Sequence, residues 1–271
     1  MSRLILFDGE LKENILENIT ADSPALGWGL GLFETVLYEN EKLYFLTEHL
    51  KRMKNSCKEL DLPFPVSNSI KEEKIMQLIR ENRFADGQAR IKIIHSPLYD
   101  DKKWNTVVTA YIYKRKTSLA RVSLCPLKRE NTFYRHKTIS YMQNFIIKKA
   151  YPDFDEVLLI NSKGNVIEGT YTNIIAVRNN ILYYTGKKQN CLTGIMQENI
   201  ITNHKKLGFS GTEEAEEGFS FDFLSSAEDL ILTNSLMIAR NIDLIDPGNR
   251  TLHKSCNKTG DRIRDFYLKI K

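Results

Sequence analysis

The sequence predicts a mixed α+β protein built from two domains, and three observations lead to that prediction. The chain has 271 residues, enough for two modest domains. Apolar residues recur at helical spacing in some segments and in short strand-like runs in others, so both helices and strands are expected. Residues 114–121 (KRKTSLAR) are charged and show no periodicity, which indicates a joint. We therefore predict an N-terminal domain at 1–115, a linker at 116–120 and a C-terminal domain carrying the candidate catalytic lysine at 121–271.

Local signals define the elements of the first domain. Asp8-Gly9 predicts a hairpin turn, and three glycines within 27–31 indicate a close approach between backbone segments. Thr47 is a good helix N-cap, because its hydroxyl can accept from a backbone N–H of the first turn. The predicted elements are a strand over 3–7, a hairpin over 32–46, a helix from Thr47, a second helix with buried positions from Ile70 to Ile79, and strands over 89–95 and 107–113.

The second domain shows the same mixture of patterns. Asn179-Asn180 predicts a hairpin turn, since asparagine tolerates the left-handed backbone conformation. The predicted elements are strands over 122–126 and 157–160, a short strand carrying Glu168, a hairpin of 174–177 with 181–184, a helix that follows Gly194, a buried strand over 229–232 and a final helix over about 258–268.

Composition limits the classes of function. The net charge is only +5, with 39 basic residues scattered among 34 acidic ones, so nucleic-acid binding is not expected. The four cysteines form no CxxC pair and the histidines lack metal-ligand spacing, which predicts reduced thiols and no metal site. The N-terminal residues turn polar too early for a signal peptide, and no apolar run approaches the length of a membrane span. We expect a soluble, cytoplasmic protein.

The stretch 137–173 contains the two residues that suggest a chemistry. Lys137 precedes a helical pattern, and Glu168 lies on a short strand after a Lys163-Gly164-Asn165 turn. A lysine amine can form an imine with an aldehyde cofactor and then carry protons, while a carboxylate can keep a ring nitrogen protonated. This division of labour suits pyridoxal 5'-phosphate (PLP), although the spacing alone does not establish it.

Weaker signals indicate an anion site. Arg52 lies off the apolar stripe of its helix, where the spacing alone favours a solvated helix residue over an anion ligand. Gly194 stands before a helix whose first N–H groups could bind phosphate, although many helices begin in this way. Thr233-Asn234-Ser235 places hydroxyl and amide side chains at the end of a buried strand.

Taken together, six segments resemble the fold-type IV PLP enzymes, which include branched-chain and D-amino-acid aminotransferases and 4-amino-4-deoxychorismate lyases. The resemblance covers nearly the whole chain, and its segments stand in the same order. They are GLGLFETV at 29–36, HLKRM at 49–53, KTISY at 137–141, DEVLLINSKGNVIEGTYTN at 155–173, LTGIM at 192–196 and LTNSLM at 232–237.

The resemblance implies a role for each candidate residue. Lys137 would hold PLP covalently and act as acid and base, while Glu168 would pair with the pyridine nitrogen. Arg52 would bind the cofactor phosphate through paired hydrogen bonds from its guanidinium. Tyr141 would reach the phenolic oxygen of the cofactor, with a core aromatic residue as the alternative. The remaining implied cofactor residues are the backbone amides of Ile195 and Met196, Ser235 with Asn234 at the phosphate, Leu192 against the ring, and Asn173, which would orient the Glu168 loop.

The resemblance leaves two reactions open. A lyase that releases pyruvate and 4-aminobenzoate from 4-amino-4-deoxychorismate is favoured by the short chain, by TNSLM at 233–237 and by KTISY at 137–141. The loop HSPLYDDKKW at 95–104 also lacks the arginine with which many aminotransferases bind a substrate carboxylate. An aminotransferase acting on branched-chain or D-amino acids is the alternative, because Ser140 and the Arg240-Asn241 region depart from both groups. A PLP-holding protein without turnover, or an interaction domain, is disfavoured by the combination of Lys137, Glu168 and Arg52. The resemblance also implies a homodimer.

Overall fold

The protein is described by a computed structural model that covers residues 3–14, 20–65, 69–99, 102–129, 131–246, 251–253 and 258–269. By its contacts the chain divides into an N-terminal unit (Met1–Arg115 with His136–Tyr141) and a C-terminal unit (Lys116–Arg135 with Met142–Lys271). The sequence prediction assigned Lys137 to the second domain, whereas these contacts place its segment in the N-terminal unit. The reason is backbone pairing, since the Phe33 N–H donates to the Lys137 carbonyl at 2.9 Å. The domains as independent folding units stay a prediction.

The described part of the N-terminal unit contains one antiparallel sheet and three helices. Its elements are β1 (Leu4–Phe7), β2 (Glu10–Glu13), α1 (Pro24–Trp28), β3 (Leu32–Glu39), β4 (Lys42–Leu43), α2 (Leu46–Glu59), α3 (Glu72–Glu81), β5 (Ala89–Ser96) and β6 (Asn105–Ile112). The strand order is β2-β1-β6-β5-β3-β4.

Alternation along β3 determines what each face of this sheet carries. Leu32 and Val36 are buried in a core with apolar residues of α2, α3, β5 and β6. Because successive strand residues point to opposite faces, Glu34 shares the helix-covered side with these two residues. Phe33 and Thr35 point to the other face, where both are half-buried. This second face holds the lysines described below.

The C-terminal unit is built on a mixed sheet. Its described elements are β7 (Ala120–Lys128), α4 (Met142–Ala150), β8 (Glu156–Ile160), β9 (Val166–Gly169), β10 (Asn173–Arg178), β11 (Ile181–Tyr184), α5 (Ile195–Thr202), β12 (Gly211–Glu214), α6 (Phe221–Ser226), β13 (Asp229–Thr233), β14 (Arg240–Ile245), β15 (Leu252–His253) and α7 (Thr259–Lys269). In the described residues the strands run in the order β12-β11-β10-β13-β14-β7-β8-β9, and β15 pairs with β14. The β11–β12, β14–β7 and β7–β8 pairs are parallel.

Both predicted hairpin turns form at the residues from which they were predicted. Asp8 and Gly9 both have positive φ (48° and 87°) and connect β1 to β2 in register, as a two-residue hairpin requires. Asn179 and Asn180 do the same between β10 and β11, with φ of 51° and 60°. The mixed α/β fold class is therefore confirmed.

The structure shows how the first long helix begins and which glycine makes a close approach. The first long helix begins at Leu46, and Thr47 is not its cap, because Phe45 with φ 58° turns the chain into the helix. Among the predicted close-approach glycines, Gly31 (φ 151°) lies against β5, where an added Cβ would stand 2.8 Å from the Ser96 side chain. Of the helices that the structure describes, none has the length and apolar character needed to span a membrane.

Candidate active site

In the N-terminal unit, the amine of Lys137 lies against aromatic rings. Its segment runs beside β3, where Ile139 donates its N–H to the Gly31 carbonyl at 3.0 Å. The Lys137 Nζ is 4.5 Å from the ring centroid of Phe33 and 5.5 Å from that of Tyr141. The two rings meet edge to face at 5.4 Å. Lys137 and Tyr141 thus lie close together, and the contact of each with a cofactor stays a prediction.

A second lysine shares this face and was missed by the sequence reasoning. Lys92 lies opposite Thr35 in the β3–β5 pairing, and its Nζ is 4.8 Å from the Phe33 centroid. Burial, with a smaller contribution from Arg90, lowers the pKa of Lys92. Two amines therefore contact one aromatic ring. The sequence signal was the alternation of β5, in which Lys92 stands between the buried residues Ile91 and Ile93.

Behind the sheet, Glu34 is the centre of a buried ionic cluster. Its carboxylate is 1% exposed and accepts hydrogen bonds from Arg52 Nε at 2.8 Å, Arg52 Nη2 at 2.6 Å and His49 Nδ1 at 2.6 Å. Burial by itself would raise the pKa of Glu34, but the charge of Arg52 and the hydrogen bonds from His49 and Arg52 outweigh burial and lower it to about 2. The carboxylate is therefore ionised at neutral pH.

This cluster changes the predicted role of Arg52. The expectation was a guanidinium fork donating paired hydrogen bonds to phosphate. In the structure the edge formed by Nε and Nη2 is bound to Glu34, so a phosphate could not use that edge. The contact between Arg52 and the cofactor phosphate stays a prediction. Glu34 itself could have been singled out, because its position in β3 alternates with Leu32 and Val36 and so had to be buried.

In the C-terminal unit, Glu168 is a buried carboxylate on β9. It is 3% exposed, and Arg129 Nη1 lies 3.3 Å from its Oε1. The guanidinium of Arg129 also stacks on Tyr134, 3.7 Å from the ring centroid. The Leu192 N–H donates to Glu168 Oε2 at 3.3 Å. Arg129 was missed by the sequence reasoning, since it precedes Glu168 by 39 positions and only strand pairing brings them together.

A second buried carboxylate holds the turn that follows Glu168. Glu156 accepts hydrogen bonds from the backbone N–H groups of Thr170 and Tyr171 at 3.1 and 3.0 Å, and from the Thr172 hydroxyl at 3.0 Å. The Thr170 hydroxyl contacts the same carboxylate. Burial raises the pKa of Glu156, and the hydrogen bonds from this turn oppose that effect. The stretch EGTYTN at 168–173 is thus folded around Glu156. These contacts fix the end of β9, on which Glu168 lies.

Asn173 links this turn to the beginning of α5. Its Nδ2 donates to the Leu192 carbonyl at 2.8 Å, and Leu192 in turn donates to Glu168. An added Cβ at Gly194 would overlap with Asn173 Oδ1, so a larger residue there would displace the Asn173 amide. Gly194 caps α5 without a side chain. Ile195 and Met196 thus present first-turn amides, which lack partners inside any α-helix.

Asn234 binds the backbone of its own loop and of the Glu168 turn, and its place at the cofactor phosphate stays a prediction. Its Oδ1 accepts from the N–H groups of Leu236 and Met237 at 3.0 and 2.8 Å, and its Nδ2 donates to the Tyr171 carbonyl at 3.2 Å. The amide therefore folds its own loop and ties it to the Glu168 turn. Ile238 closes this loop with φ 66°, a strained conformation for a β-branched residue. Ser235 is half-buried in the same loop, and its contact with phosphate stays a prediction.

The fold is shared with solved structures of fold-type IV enzymes. The branched-chain aminotransferase of Thermoproteus uzoniensis, solved with norvaline, superposes with a TM-score of 0.84 at 22% identity, covering 100% of this chain and 95% of the other. A PLP-dependent enzyme needs a lysine for the cofactor aldehyde and a partner for the pyridine nitrogen.

The model of the amino-transferase class IV family matches residues 31–245, and the chain belongs to this family. The family consists of PLP-dependent enzymes, so the cofactor is PLP. A probable branched-chain-amino-acid aminotransferase of Rickettsia bellii is 26% identical, with 98% of this chain and 95% of the relative aligned. An aminodeoxychorismate lyase of Bacillus subtilis is 26% identical over 78% of this chain and 75% of its own length. The predicted family, fold and cofactor are confirmed.

Proposed function

We propose that this enzyme converts 4-amino-4-deoxychorismate to 4-aminobenzoate and pyruvate. The main support for this proposal is the Lys92 amine, a cationic group next to Lys137. The 95–104 loop contains no arginine, and the amine that shares the Phe33 ring with Lys137 belongs to Lys92. A lysine amine is a point charge suited to one carboxylate, whereas a bidentate arginine favours planar recognition of a carboxylate. An aminotransferase must bind two different acids in turn, and a lyase needs only one substrate.

The residues present fit PLP. The Lys137 amine is half-buried against aromatic rings, Glu168 is a buried carboxylate, and Gly194 leaves the first turn of α5 without a side-chain cap. We assign Lys137 to hold the cofactor, Glu168 to its pyridine nitrogen, and Arg52 with the amides of Ile195 and Met196 to its phosphate. When bound, PLP supplies a ring that accepts electrons from the carbon next to the substrate amine.

The roles of the protein side chains follow from their surroundings. After the substrate has displaced the Lys137 amine, this amine is the base that removes a proton from the substrate carbon. The same amine is the acid that returns a proton. Glu168 holds the proton at the ring nitrogen, and Arg129 at 3.3 Å offsets the cost of burying the carboxylate charge. Lys92 binds the substrate carboxylate. Tyr141 and Phe33 exclude water around the Lys137 amine.

Product analysis tests the reaction. The PLP-loaded protein is given 4-amino-4-deoxychorismate without a keto-acid acceptor, and pyruvate and 4-aminobenzoate are measured. We expect many turnovers per subunit, and Lys137→Ala should abolish both the turnover and the covalent cofactor absorbance. If PLP is bound and no product forms, the lyase proposal is wrong.

A branched-chain or D-amino-acid aminotransferase is the second candidate. It is favoured by the relative from Rickettsia bellii, which aligns over 98% of this chain, further than the lyase of Bacillus subtilis at 78%. Amino donors screened with 2-oxoglutarate or pyruvate would identify this activity. Keto-acid-dependent amino transfer, without release of pyruvate from 4-amino-4-deoxychorismate, would establish it in place of the lyase.

We also propose a cytoplasmic homodimer. The support is an exposed apolar face on α4, where Met142, Phe145 and Ile146 are 76%, 58% and 54% exposed. These positions lie on one side of the helix, and a patch of this kind is typical of a contact surface. Light scattering of the purified protein would detect a dimer, and a monomer at micromolar concentration would contradict this part of the proposal.

A further inference from the structure

We propose that Arg90 binds a second carboxylate of the substrate, beside the one that Lys92 binds, and so makes the enzyme selective for dicarboxylic acids. The inference rests on the proposed function, in which Lys137 acts at the carbon that bears the substrate amine and Lys92 binds a carboxylate. Its basis is a row of cationic side chains on one face of the N-terminal sheet.

Strand alternation places Arg90 on the same face as the candidate catalytic lysine. Arg90 and Lys92 are two positions apart on β5, so both side chains project from one face of the sheet, about 7 Å apart along the strand. That face also carries Phe33, against which the amines of Lys137 and Lys92 lie. Phe33 stands opposite Ile94 in the β3–β5 pairing. Because Arg90 comes before Lys92 on the way back along β5 from this point, it is the cation further from the Lys137 amine.

An aromatic contact restrains the guanidinium of Arg90. Arg90 is exposed, and its Cζ lies 4.9 Å from the ring centroid of Tyr111, the residue opposite it on β6. A guanidinium stacked on a ring keeps its N–H groups in its own plane, where a planar carboxylate can accept two parallel hydrogen bonds. This geometry suits a carboxylate that is itself attached to a flat ring.

The two cations lack an acidic partner among the residues that the structure describes. Neither Arg90 nor Lys92 takes part in an ion pair there, and Glu39, further along the same face of β3, is paired with Arg115. Burial, together with the positive charge of Arg90, lowers the pKa of Lys92, because like charges disfavour each other. A ligand with two carboxylates neutralises both cations, whereas a monocarboxylic acid neutralises only one.

The substrate of the proposed function has two carboxylates at different distances from its amine. One belongs to the enolpyruvyl group, which is attached to the ring carbon next to the one that bears the amine, and it leaves in pyruvate. The other is attached to the ring carbon opposite the amine and stays in 4-aminobenzoate. Since Arg90 is the cation further from Lys137, it binds the ring carboxylate, and Lys92 binds the enolpyruvyl carboxylate.

Binding of the two products to the PLP-loaded protein tests this assignment. Dissociation constants of 4-aminobenzoate and pyruvate are measured by calorimetry for wild type, Arg90→Met, Arg90→Lys and Lys92→Met. Arg178→Met is the matched control, because Arg178 is an exposed arginine at the end of β10, 5.7 Å from the ring centroid of Phe223. We expect Arg90→Met to weaken 4-aminobenzoate binding about tenfold or more and pyruvate binding less than about twofold. Lys92→Met should show the reverse, Arg90→Lys should lose less than Arg90→Met, and Arg178→Met should match wild type.

The outcomes separate this inference from the proposed function. If 4-amino-4-deoxychorismate gives no products but 4-aminobenzoate binding depends on Arg90, the lyase proposal fails and the carboxylate site at Arg90 stands. If the products form and Arg90→Met binds 4-aminobenzoate as tightly as wild type, only the role of Arg90 is wrong. An equal loss of both ligands in Arg90→Met would indicate a general structural effect and would overturn the inference, as would a wild-type protein that binds no 4-aminobenzoate. Should Arg90→Met not fold, Arg90→Gln removes the charge but keeps a polar side chain, and it must show the same selective loss.

Discussion

Replacing Glu34 by glutamine should destabilise the N-terminal unit at neutral pH, and this loss should shrink in acid. Folding lowers the pKa of Glu34 from 4.5 to about 2, because Arg52 and His49 outweigh the effect of burial. A carboxylate with a lowered pKa stabilises the folded protein above its unfolded pKa, and the stabilisation is lost as the pH falls towards the folded pKa. The relevant window therefore lies between pH 4.5 and pH 2.

The size of the effect follows from the two pKa values. A change from 4.5 to about 2 corresponds to about 3 kcal/mol at pH 7. At pH 3 the native carboxylate is still mostly ionised while the unfolded one is mostly protonated, and about 2 kcal/mol of that contribution is lost. The difference in free energy of unfolding between wild type and Glu34→Gln should fall by this amount. Since glutamine does not titrate, the difference isolates Glu34 from the other carboxylates.

Urea unfolding followed by tryptophan fluorescence measures this difference. Both tryptophans of the chain, Trp28 and Trp104, belong to the N-terminal unit together with Glu34. The apoprotein is used, so that cofactor binding does not contribute to the free energy. Glu48→Gln should match wild type at both pH 7 and pH 3. An unfolding difference for Glu34→Gln that is equal at the two pH values would refute the ion-pair reasoning.

Three further outcomes are expected. Arg129→Met leaves the buried Glu168 without its guanidinium and should destabilise the protein by about 3 kcal/mol; an unchanged thermal transition would contradict this. Gly169→Ala would force a Cβ against Thr172 and within 2.9 Å of the Glu156 side chain, and thermal unfolding should show a loss of about 1–3 kcal/mol. Lys92→Met should raise KM for the substrate at least tenfold with a smaller change in kcat; an unaltered KM would remove Lys92 from carboxylate binding.

The sequence predicted those features that depend on neighbouring residues. The turns at Asp8-Gly9 and Asn179-Asn180 need only residues that accept positive φ, and both form as predicted. The family resemblance added Lys137, whose amine does lie against aromatic rings. Local pattern thus predicted the turns, because they depend on residue type and short spacing.

Long-range pairing was beyond reach of the same reasoning. Lys137 is joined to β3 by a backbone hydrogen bond with Phe33, more than 100 positions earlier, and a linear division of the chain could not show this pairing. Arg129 meets Glu168 only because β7, β8 and β9 are adjacent in the sheet. Register determines such contacts, and register is set by the whole sheet and not by the local pattern.

Glu34 and Glu168 show one physical solution used for two purposes. Each is a carboxylate with exposure of 1% or 3%, and each is paired with an arginine, Arg52 or Arg129. A buried charge is tolerated only when it is paired and hydrogen-bonded, so neither partner can be removed without cost. Under the proposed function, the arginine of the first pair and the carboxylate of the second pair meet the ligand. Stability and ligand affinity should therefore be coupled at both pairs. Replacing either glutamate by aspartate keeps the charge but moves it by one methylene, and this change should affect ligand affinity more than stability.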